Sequence, residues 1–180
     1  MARPGHATTS LLLAVAAVAA AASCCLPTAS GDNAAVANIC KSTPYPDLCT
    51  ATAGKQSVRY GAAVDALAVL NMQVDAFAMR TAAARERVSS VAKTASPGAA
   101  TALDLCDSLY LDVLDNLGAA RRAIGFKDAV TIRAMMGMAA QDMQGCDEQF
   151  KKVGEKNPMD RFDQSLLKMS ENCRALSKMI

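Results

Sequence analysis

Apolar residues recur every three or four positions in four successive segments of the chain, beginning at Leu67. The charged residues of the first segment all fall between these positions, so the segment has one apolar stripe. A spacing that averages about 3.5 residues is typical of helices that pack side by side at a small crossing angle. The four stripes are Leu67, Leu70, Val74, Phe77, Thr81, Ala84, Val88 and Val91; Leu103, Cys106, Tyr110, Val113, Leu117, Ala120 and Ile124; Ile132, Met136, Ala139, Met143, Cys146 and Phe150; and Phe162, Leu166, Met169, Cys173, Leu176 and Ile180.

Short interruptions containing proline or glycine separate the four segments, at residues 97–98, at Gly125 and at residues 157–158. Connections of a few residues make neighbouring helices antiparallel. β-Branched residues are few and never alternate, while alanine, which favours helix, is abundant. We therefore predict an all-α fold: an up-down-up-down four-helix bundle over residues 61–180, preceded by a small helical arm over residues 31–60.

The N-terminal segment has the layout of a secretory signal peptide. Its apolar run, residues 11–22, has twelve residues, and small residues follow it. A membrane span needs about 20 residues, so this run fits the hydrophobic part of a signal peptide instead. We predict that residues 1–30 contain the signal peptide, with cleavage near Ser23 or near Ser30. The secreted chain then has one domain, residues 31–180, and no membrane anchor.

Five cysteines remain if Cys24 and Cys25 are removed with the leader. A secreted chain folds in an oxidising compartment, so disulfides are expected. Cys106 and Cys146 lie on the stripes of adjacent antiparallel helices, and both are equally far from the turn predicted at residues 125–127. Their sulfurs are therefore level with each other, and we predict a Cys106–Cys146 disulfide.

The other cysteines have simpler roles. Pro44 and Pro46 disfavour a continuous helix between Cys40 and Cys49, so we predict that this short loop closes as a second disulfide. Cys173 lies on an apolar stripe and is predicted to be a buried free thiol. The eight residues between Cys40 and Cys49 do not match the spacing of zinc knuckles, so no metal site is expected.

Charge and composition exclude several classes of function. The 19 Lys and Arg and the 17 Asp and Glu are interspersed, which leaves no basic surface for nucleic acid. The single histidine, His6, lies in the predicted leader, which excludes Ser-His-Asp and Cys-His catalysis and histidine-bound metals from the mature protein. The acidic side chains of the segments lie outside the stripes, and no polar cluster is expected on them. We predict a protein that is not an enzyme and has no cofactor.

Four stretches resemble a known family: ICKSTPYPDLC, CDSLYLDVLDNLGAA, GCDEQFKK and LLKMSENCRALSKMI. Over about residues 36–180, the order and spacing of four cysteines resemble the plant invertase/pectin methylesterase inhibitor family. The resemblance implies an extracellular or vacuolar four-helix bundle with an N-terminal helical hairpin. It also implies disulfides from the first to the second and from the third to the fourth cysteine, and a protein that binds and blocks a plant carbohydrate-active enzyme.

The resemblance leaves two targets open, pectin methylesterase and acid invertase. Residues 137–141 partly match a segment found in inhibitors of the methylesterase, and residues 129–131 stand where invertase inhibitors have Pro-Lys-Phe. We expect a secreted inhibitor in the apoplast, with the vacuole as the other location, that binds one of these enzymes one-to-one. A secreted four-helix-bundle signalling ligand without inhibitory activity is the alternative.

The expected target-binding residues are polar positions of the second and third segments and of the turn that joins them. A rigid bundle holds such helix faces in place before binding, which lowers the entropy cost of association. The candidates are Asp107, Asp112, Asp115, Lys127, Asp128, Arg133 and Asp142.

Overall fold

The computed structural model describes Met1, residues 29–60 and residues 64–180. Cys24, Cys25, the apolar run of the leader and the cleavage position near Ser23 lie outside these residues. The described residues form six α-helices and one short 3-10 helix and contain no strand, which confirms the all-α prediction. The helices are α1 (Ala29–Cys40), α2 (Pro46–Gly54), α3 (Ala66–Ala92), α4 (Pro97–Gly125), α5 (Ala129–Val153) and α6 (Asp160–Leu176), and the 3-10 helix is Ser57–Arg59.

The four long helices α3 to α6 form the predicted bundle. Helix α3 packs against α4 and α6, and α5 packs against the same two helices, so the four close into a ring. The connections between them are short, and the arrangement is up-down-up-down, as predicted. None of the helices described here combines the length and apolarity that crossing a membrane requires. Helices α4 and α5 share the most extensive contact of the ring.

Short polar and glycine signals set the ends of the bundle helices. The Asp65 carboxylate caps α3 by accepting a hydrogen bond from the Ala68 N–H at 2.8 Å. The Ser96 hydroxyl does the same for α4, with the Ala99 N–H at 3.1 Å. Helix α5 ends at Val153 and is followed by Gly154, whose φ of 70° is a left-handed conformation that glycine adopts without strain.

The four predicted stripes form the core. Every stripe residue of α4 and α5 is buried, and the stripes of α3 and α6 are buried except near their ends. The end positions Leu67, Val91, Phe162 and Ile180 are partly buried and still pack against the core. Burial of these apolar surfaces is the main stabilising contribution to the bundle.

Helix α3 buries more surface than its stripe. Val69 and Met72 lie off the stripe, yet both are fully buried. The reason is that α1 and α2 form a helical hairpin that packs on this additional side of α3. The hairpin agrees with the helical arm predicted upstream of the bundle.

Two buried amide side chains fasten the hairpin to the bundle. Asn172 of α6 accepts a hydrogen bond from the Tyr45 N–H and donates one to the Tyr45 carbonyl, both at 3.0 Å. Gln73 of α3 donates to the Cys49 carbonyl at 2.9 Å and to the Thr52 hydroxyl at 2.7 Å. Because these amides are shielded from water, the hydrogen bonds fix how the hairpin sits on the bundle.

Two disulfides are present in the described residues. The α-carbons of Cys40 and Cys49 are 5.6 Å apart within the hairpin, and those of Cys106 and Cys146 are 4.8 Å apart between α4 and α5. Cys173 is free and buried, and burial raises the pKa of its thiol to about 12. This thiol therefore stays protonated and packs as a small apolar side chain.

One expectation about the core is wrong. The sequence predicts no polar cluster on the stripes and acidic side chains that face outward, but Asp163 of α6 is only 2% exposed. Its carboxyl group accepts hydrogen bonds from the Tyr110 hydroxyl at 2.5 Å and from the Asn157 amide at 3.0 Å. The α5–α6 connection, in which Asn157 and Met159 are both buried, adjoins the first turn of α6 and helps enclose this carboxyl group.

Candidate functional site

The outward surface of α4 and α5, with the turn between them, is the region where most candidate target-binding residues lie. We call this surface the α4–α5 face. The two helices are joined by the Cys106–Cys146 disulfide and by their extensive packing, so the face has a rigid base. Its exposed side chains include Leu105, Leu111, Asp112, Asp115, Phe126, Lys127, Asp128, Val130 and Met138.

The turn between the two helices is fixed by its own hydrogen bonds. The Asp128 carboxylate accepts hydrogen bonds from the N–H groups of Val130 at 3.1 Å and Thr131 at 3.0 Å, and the Thr131 hydroxyl donates to it at 2.6 Å. These hydrogen bonds, with the one from the Thr131 hydroxyl acting most strongly, lower the pKa of Asp128. Lys127 has a φ of 54°, a left-handed conformation that turns the chain back toward α5. Asp128 therefore has a structural role as the cap of α5.

Two apolar side chains project from this turn. Phe126 is 86% exposed and Val130 is 69% exposed, more than any other large apolar side chain in the described residues except Met1. Exposed apolar groups on a rigid base are typical of binding surfaces. Their neighbours Lys127 and Asp128 are predicted site residues, but Phe126 and Val130 are not. The available signal was that both residues lie off the stripes, Phe126 within the predicted turn and Val130 just after it.

The structure brings the candidates Asp112 and Asp142 close to each other across the α4–α5 contact. Asp142 is half-buried and accepts a hydrogen bond from the Asn116 amide at 3.0 Å. Burial raises the pKa of Asp142, the negative charge of Asp112 raises it further, and the Asn116 hydrogen bond partly offsets both effects. The exposed Asp115 lies on the same part of α4. The middle of the face is therefore acidic.

The candidate Asp107 points to a different partner. Its carboxylate accepts two hydrogen bonds from the Arg85 guanidinium of α3, both at 2.8 Å. This two-pronged ion pair ties α3 to α4 and occupies both carboxylate oxygens. Asp107 therefore contributes to the bundle and is less available to a target than Asp112.

The structure separates the candidate Arg133 from Asp112 and Asp142, although its positive charge acts on Asp128. Its side chain lines a cavity of about 230 Å³ together with Glu171, Arg174 and Lys178 from the α6 side, and Pro44 from the hairpin. This groove lies between α5 and α6, whereas Asp112 and Asp142 meet where α4 packs on α5. Arg133 thus belongs to another surface of the bundle.

The α4–α5 face also exposes apolar side chains away from the turn. Leu105 and Leu111 on α4 are 40% and 43% exposed, and Met138 on α5 is 48% exposed. Gly145 lets the helices approach closely, because a Cβ atom there would lie 3.2 Å from a methyl carbon of Leu109. Close packing of this kind leaves the face little freedom to deform.

The α4–α5 face combines exposed apolar and charged side chains on one surface. It presents an apolar turn, a lysine and, near the middle of the two helices, a group of carboxylates, and the Cys106–Cys146 disulfide joins the helices. Within the residues that the structure describes, no three His, Cys, Asp or Glu side chains are grouped in a way that could hold a metal ion. A cavity of about 550 Å³ lies elsewhere, between the hairpin loop around Tyr45 and the outer side of α6 around Lys168.

Comparison with known proteins identifies relatives of this fold. The sequence model for the family described as plant invertase/pectin methylesterase inhibitor matches residues 34–176. A crystal structure of a pectin methylesterase inhibitor from Arabidopsis thaliana has a TM-score of 0.59 and 17% identity, with 82% of this chain and 97% of that chain covered. A mutant form of a pectin methylesterase inhibitor from Arabidopsis has a TM-score of 0.64 and 16% identity, with 81% and 96% covered. The comparison with curated proteins found no match.

Proposed function

The chain belongs to the plant invertase/pectin methylesterase inhibitor family, and on that basis we propose that it is a secreted inhibitor of one plant cell-wall enzyme. The members of this family are extracellular inhibitors and not enzymes. The proposed target is a pectin methylesterase or an acid invertase, bound one-to-one, and the proposed location is the apoplast, with the vacuole as the other possibility. The protein would act by covering the substrate cleft of its target.

The observation that carries this proposal is the rigidity of the α4–α5 face. An inhibitor that loses little freedom on binding retains more of the free energy of its contacts. Here a disulfide, close helix packing and a capped turn all restrain the same surface. Phe126 and Val130 are exposed at the turn and would serve as apolar anchors, and a few well-buried side chains contribute most of the binding energy in protein interfaces.

The other candidate residues fall into two groups in this proposal, those that would contact the target and those that would stabilise the face. Lys127 beside the turn, and Asp112, Asp115 and Asp142 further along the helices, would provide charge complementarity, which affects specificity and association rate more than affinity. Asp107 would stabilise the face through its ion pair with Arg85, and Asp128 would stabilise it by capping α5. The alternative role, a signalling ligand, has no supporting observation, because such bundles use long crossover connections and the connections here are short.

A titration tests the proposal. The mature, disulfide-bonded protein is added in increasing amounts to a purified pectin methylesterase and, separately, to a purified acid invertase, at the mildly acidic pH of the cell wall. The proposal predicts that residual activity of one enzyme falls linearly to an end point of one inhibitor per enzyme, and that enzyme is then the target. Full activity of a panel of both enzymes at excess protein would contradict it.

A further inference from the structure

The loop between the two hairpin helices forms one wall of a groove on the surface. Pro44, Tyr45 and Pro46 line the groove from this loop, and the outer side of α6 lines it from the opposite side. Its volume of about 550 Å³ is within the range of pockets that bind small organic ligands. None of its lining residues belongs to α4 or α5. We call it the hairpin groove, and it is a surface distinct from the α4–α5 face.

The loop wall of the hairpin groove is held in a fixed shape. The N–H and the carbonyl group of Tyr45 both hydrogen-bond to the Asn172 side chain at 3.0 Å. The hairpin disulfide closes the loop, and the proline rings before and after Tyr45 fix the backbone φ angle at their own positions. A ligand would therefore meet a wall that is already formed, which lowers the entropy cost of binding.

Two cationic side chains line the hairpin groove from α6. Arg161 and Lys168 are both exposed, and neither takes part in an ion pair within the part of the chain that the structure describes. The Lys168 ammonium lies 5.5 Å from the centre of the Tyr45 ring, a separation at which a cation and an aromatic ring attract each other. This attraction keeps the ammonium group next to the loop. Cations of this kind are suited to binding a carboxylate.

The hairpin groove also contains groups that suit the hydroxyls of a ligand. Asp47 and Asp160 line it from the first turns of α2 and α6, where the helix dipole favours a negative charge. Carboxylates accept hydrogen bonds from hydroxyl groups, and Gln164 and Ser165 can both donate and accept them. Asp160 and Lys168 are separated by about 12 Å along α6. The groove therefore offers acceptors for hydroxyls at one place and a cation at another.

We propose that the hairpin groove binds an oligosaccharide that contains uronic acid, a sugar whose ring bears a carboxylate. The ligand carboxylate would bind Lys168 and Arg161, and its hydroxyls would donate to Asp47 and Asp160. An apolar side of a sugar ring would lie against the proline and tyrosine side chains of the loop. A phosphate or an anionic membrane fits less well, because the two lining carboxylates repel a ligand that offers only negative charge. This site does not depend on the proposed inhibitory function.

An NMR titration of the mature, disulfide-bonded protein tests the proposal, with a tetramer of galacturonic acid as the probe at neutral pH. The tetramer should shift the amide signals of the loop and of the first turns of α6. Its fully methyl-esterified form, which lacks the negative charge, should bind at least roughly tenfold more weakly. Inorganic phosphate at matched ionic strength should not displace the tetramer. The absence of these shifts, equal affinity for the ester, or displacement by phosphate would overturn the proposal.

Two double variants with the same change of charge locate the site. Arg161→Gln/Lys168→Gln should weaken binding of the tetramer at least roughly tenfold. Arg133→Gln/Lys178→Gln removes two charges from the groove between α5 and α6 instead and should keep the wild-type affinity. Tyr45→Ala leaves the backbone hydrogen bonds of the loop in place and should also weaken binding. Circular dichroism and a cooperative unfolding transition establish that each variant is folded, and equal losses in the two double variants would indicate general electrostatic attraction and refute a specific site.

Discussion

Cys106 and Cys146 face each other across α4 and α5 with their α-carbons 4.8 Å apart, and both are completely buried. The disulfide fixes the register of the two helices that form the α4–α5 face. It therefore links the stability of the bundle to the shape of the proposed binding surface. The hairpin disulfide, Cys40–Cys49, closes a much shorter loop, and its two cysteines are not part of α4 or α5.

Removal of the bundle disulfide should cost more stability than removal of the hairpin disulfide. The chain-entropy relation gives about 4 kcal/mol for the loop between Cys106 and Cys146 and about 3 kcal/mol for the loop between Cys40 and Cys49. The double variants Cys106→Ala/Cys146→Ala and Cys40→Ala/Cys49→Ala form a matched pair. Urea unfolding at mildly acidic pH measures the difference, and a larger loss in the hairpin variant would contradict the expected order.

Asp107 and Asp112 should have separable roles although both are acidic residues of α4. Asp107→Asn weakens the ion pair with Arg85 and should lower the unfolding free energy by about 0.5 kcal/mol, because that pair is partly exposed to solvent. Inhibition should change little. Asp112→Asn should leave stability unchanged and weaken inhibition roughly threefold, mainly through the association rate. The opposite pattern in paired stability and inhibition measurements would show that these roles are misassigned.

Asp112 should raise the pKa of Asp142, because the two carboxylates lie close together across α4 and α5. In the variant Asp112→Asn, the pKa of Asp142 should therefore move downward, toward its ordinary value. Carbon-13 NMR of the Asp142 carboxyl group measures the titration. Asp115→Asn serves as the control, and an equal shift in both variants would argue against a specific pairing.

Asn172 should be essential for docking of the hairpin. Its side chain makes two hydrogen bonds to the backbone of Tyr45, and it is fully buried. Asn172→Ala leaves both Tyr45 groups without these partners and should lower the unfolding free energy by about 2 kcal/mol. Arg174→Ala, at an exposed position of the same helix, should have almost no effect. Equal stability of the two variants would refute the role given to Asn172.

The bundle could be predicted because its core depends on local periodicity. Leu103, Cys106 and Tyr110 repeat at the spacing of one helix face, and burial of that face is what the fold requires. Cys106 and Cys146 lie opposite each other because both are on helix stripes and are equally far from a short turn. Distant parts of the chain do not alter either relationship.

The remaining features depend on contacts that no local pattern encodes. Aspartate is a residue type that usually lies on the surface. Asp163 is buried because its neighbours Asn157 and Met159 in the α5–α6 connection are themselves buried against the bundle. Asn172 is buried because the hairpin packs on α6. Phe126 is exposed because nothing in the described chain packs against the turn, whereas a phenylalanine near a helix end could equally well have been part of the core.

The central claim is that the apolar turn of a rigid bundle face provides the inhibition. The most direct test is to compare the inhibition constants of Phe126→Ala/Val130→Ala and of Met179→Ala, whose side chain is exposed after the end of α6, outside the α4–α5 face. We predict that the turn variant remains folded and inhibits the target at least roughly a hundredfold more weakly, whereas Met179→Ala matches the wild type. Unchanged inhibition by the folded turn variant would contradict this account.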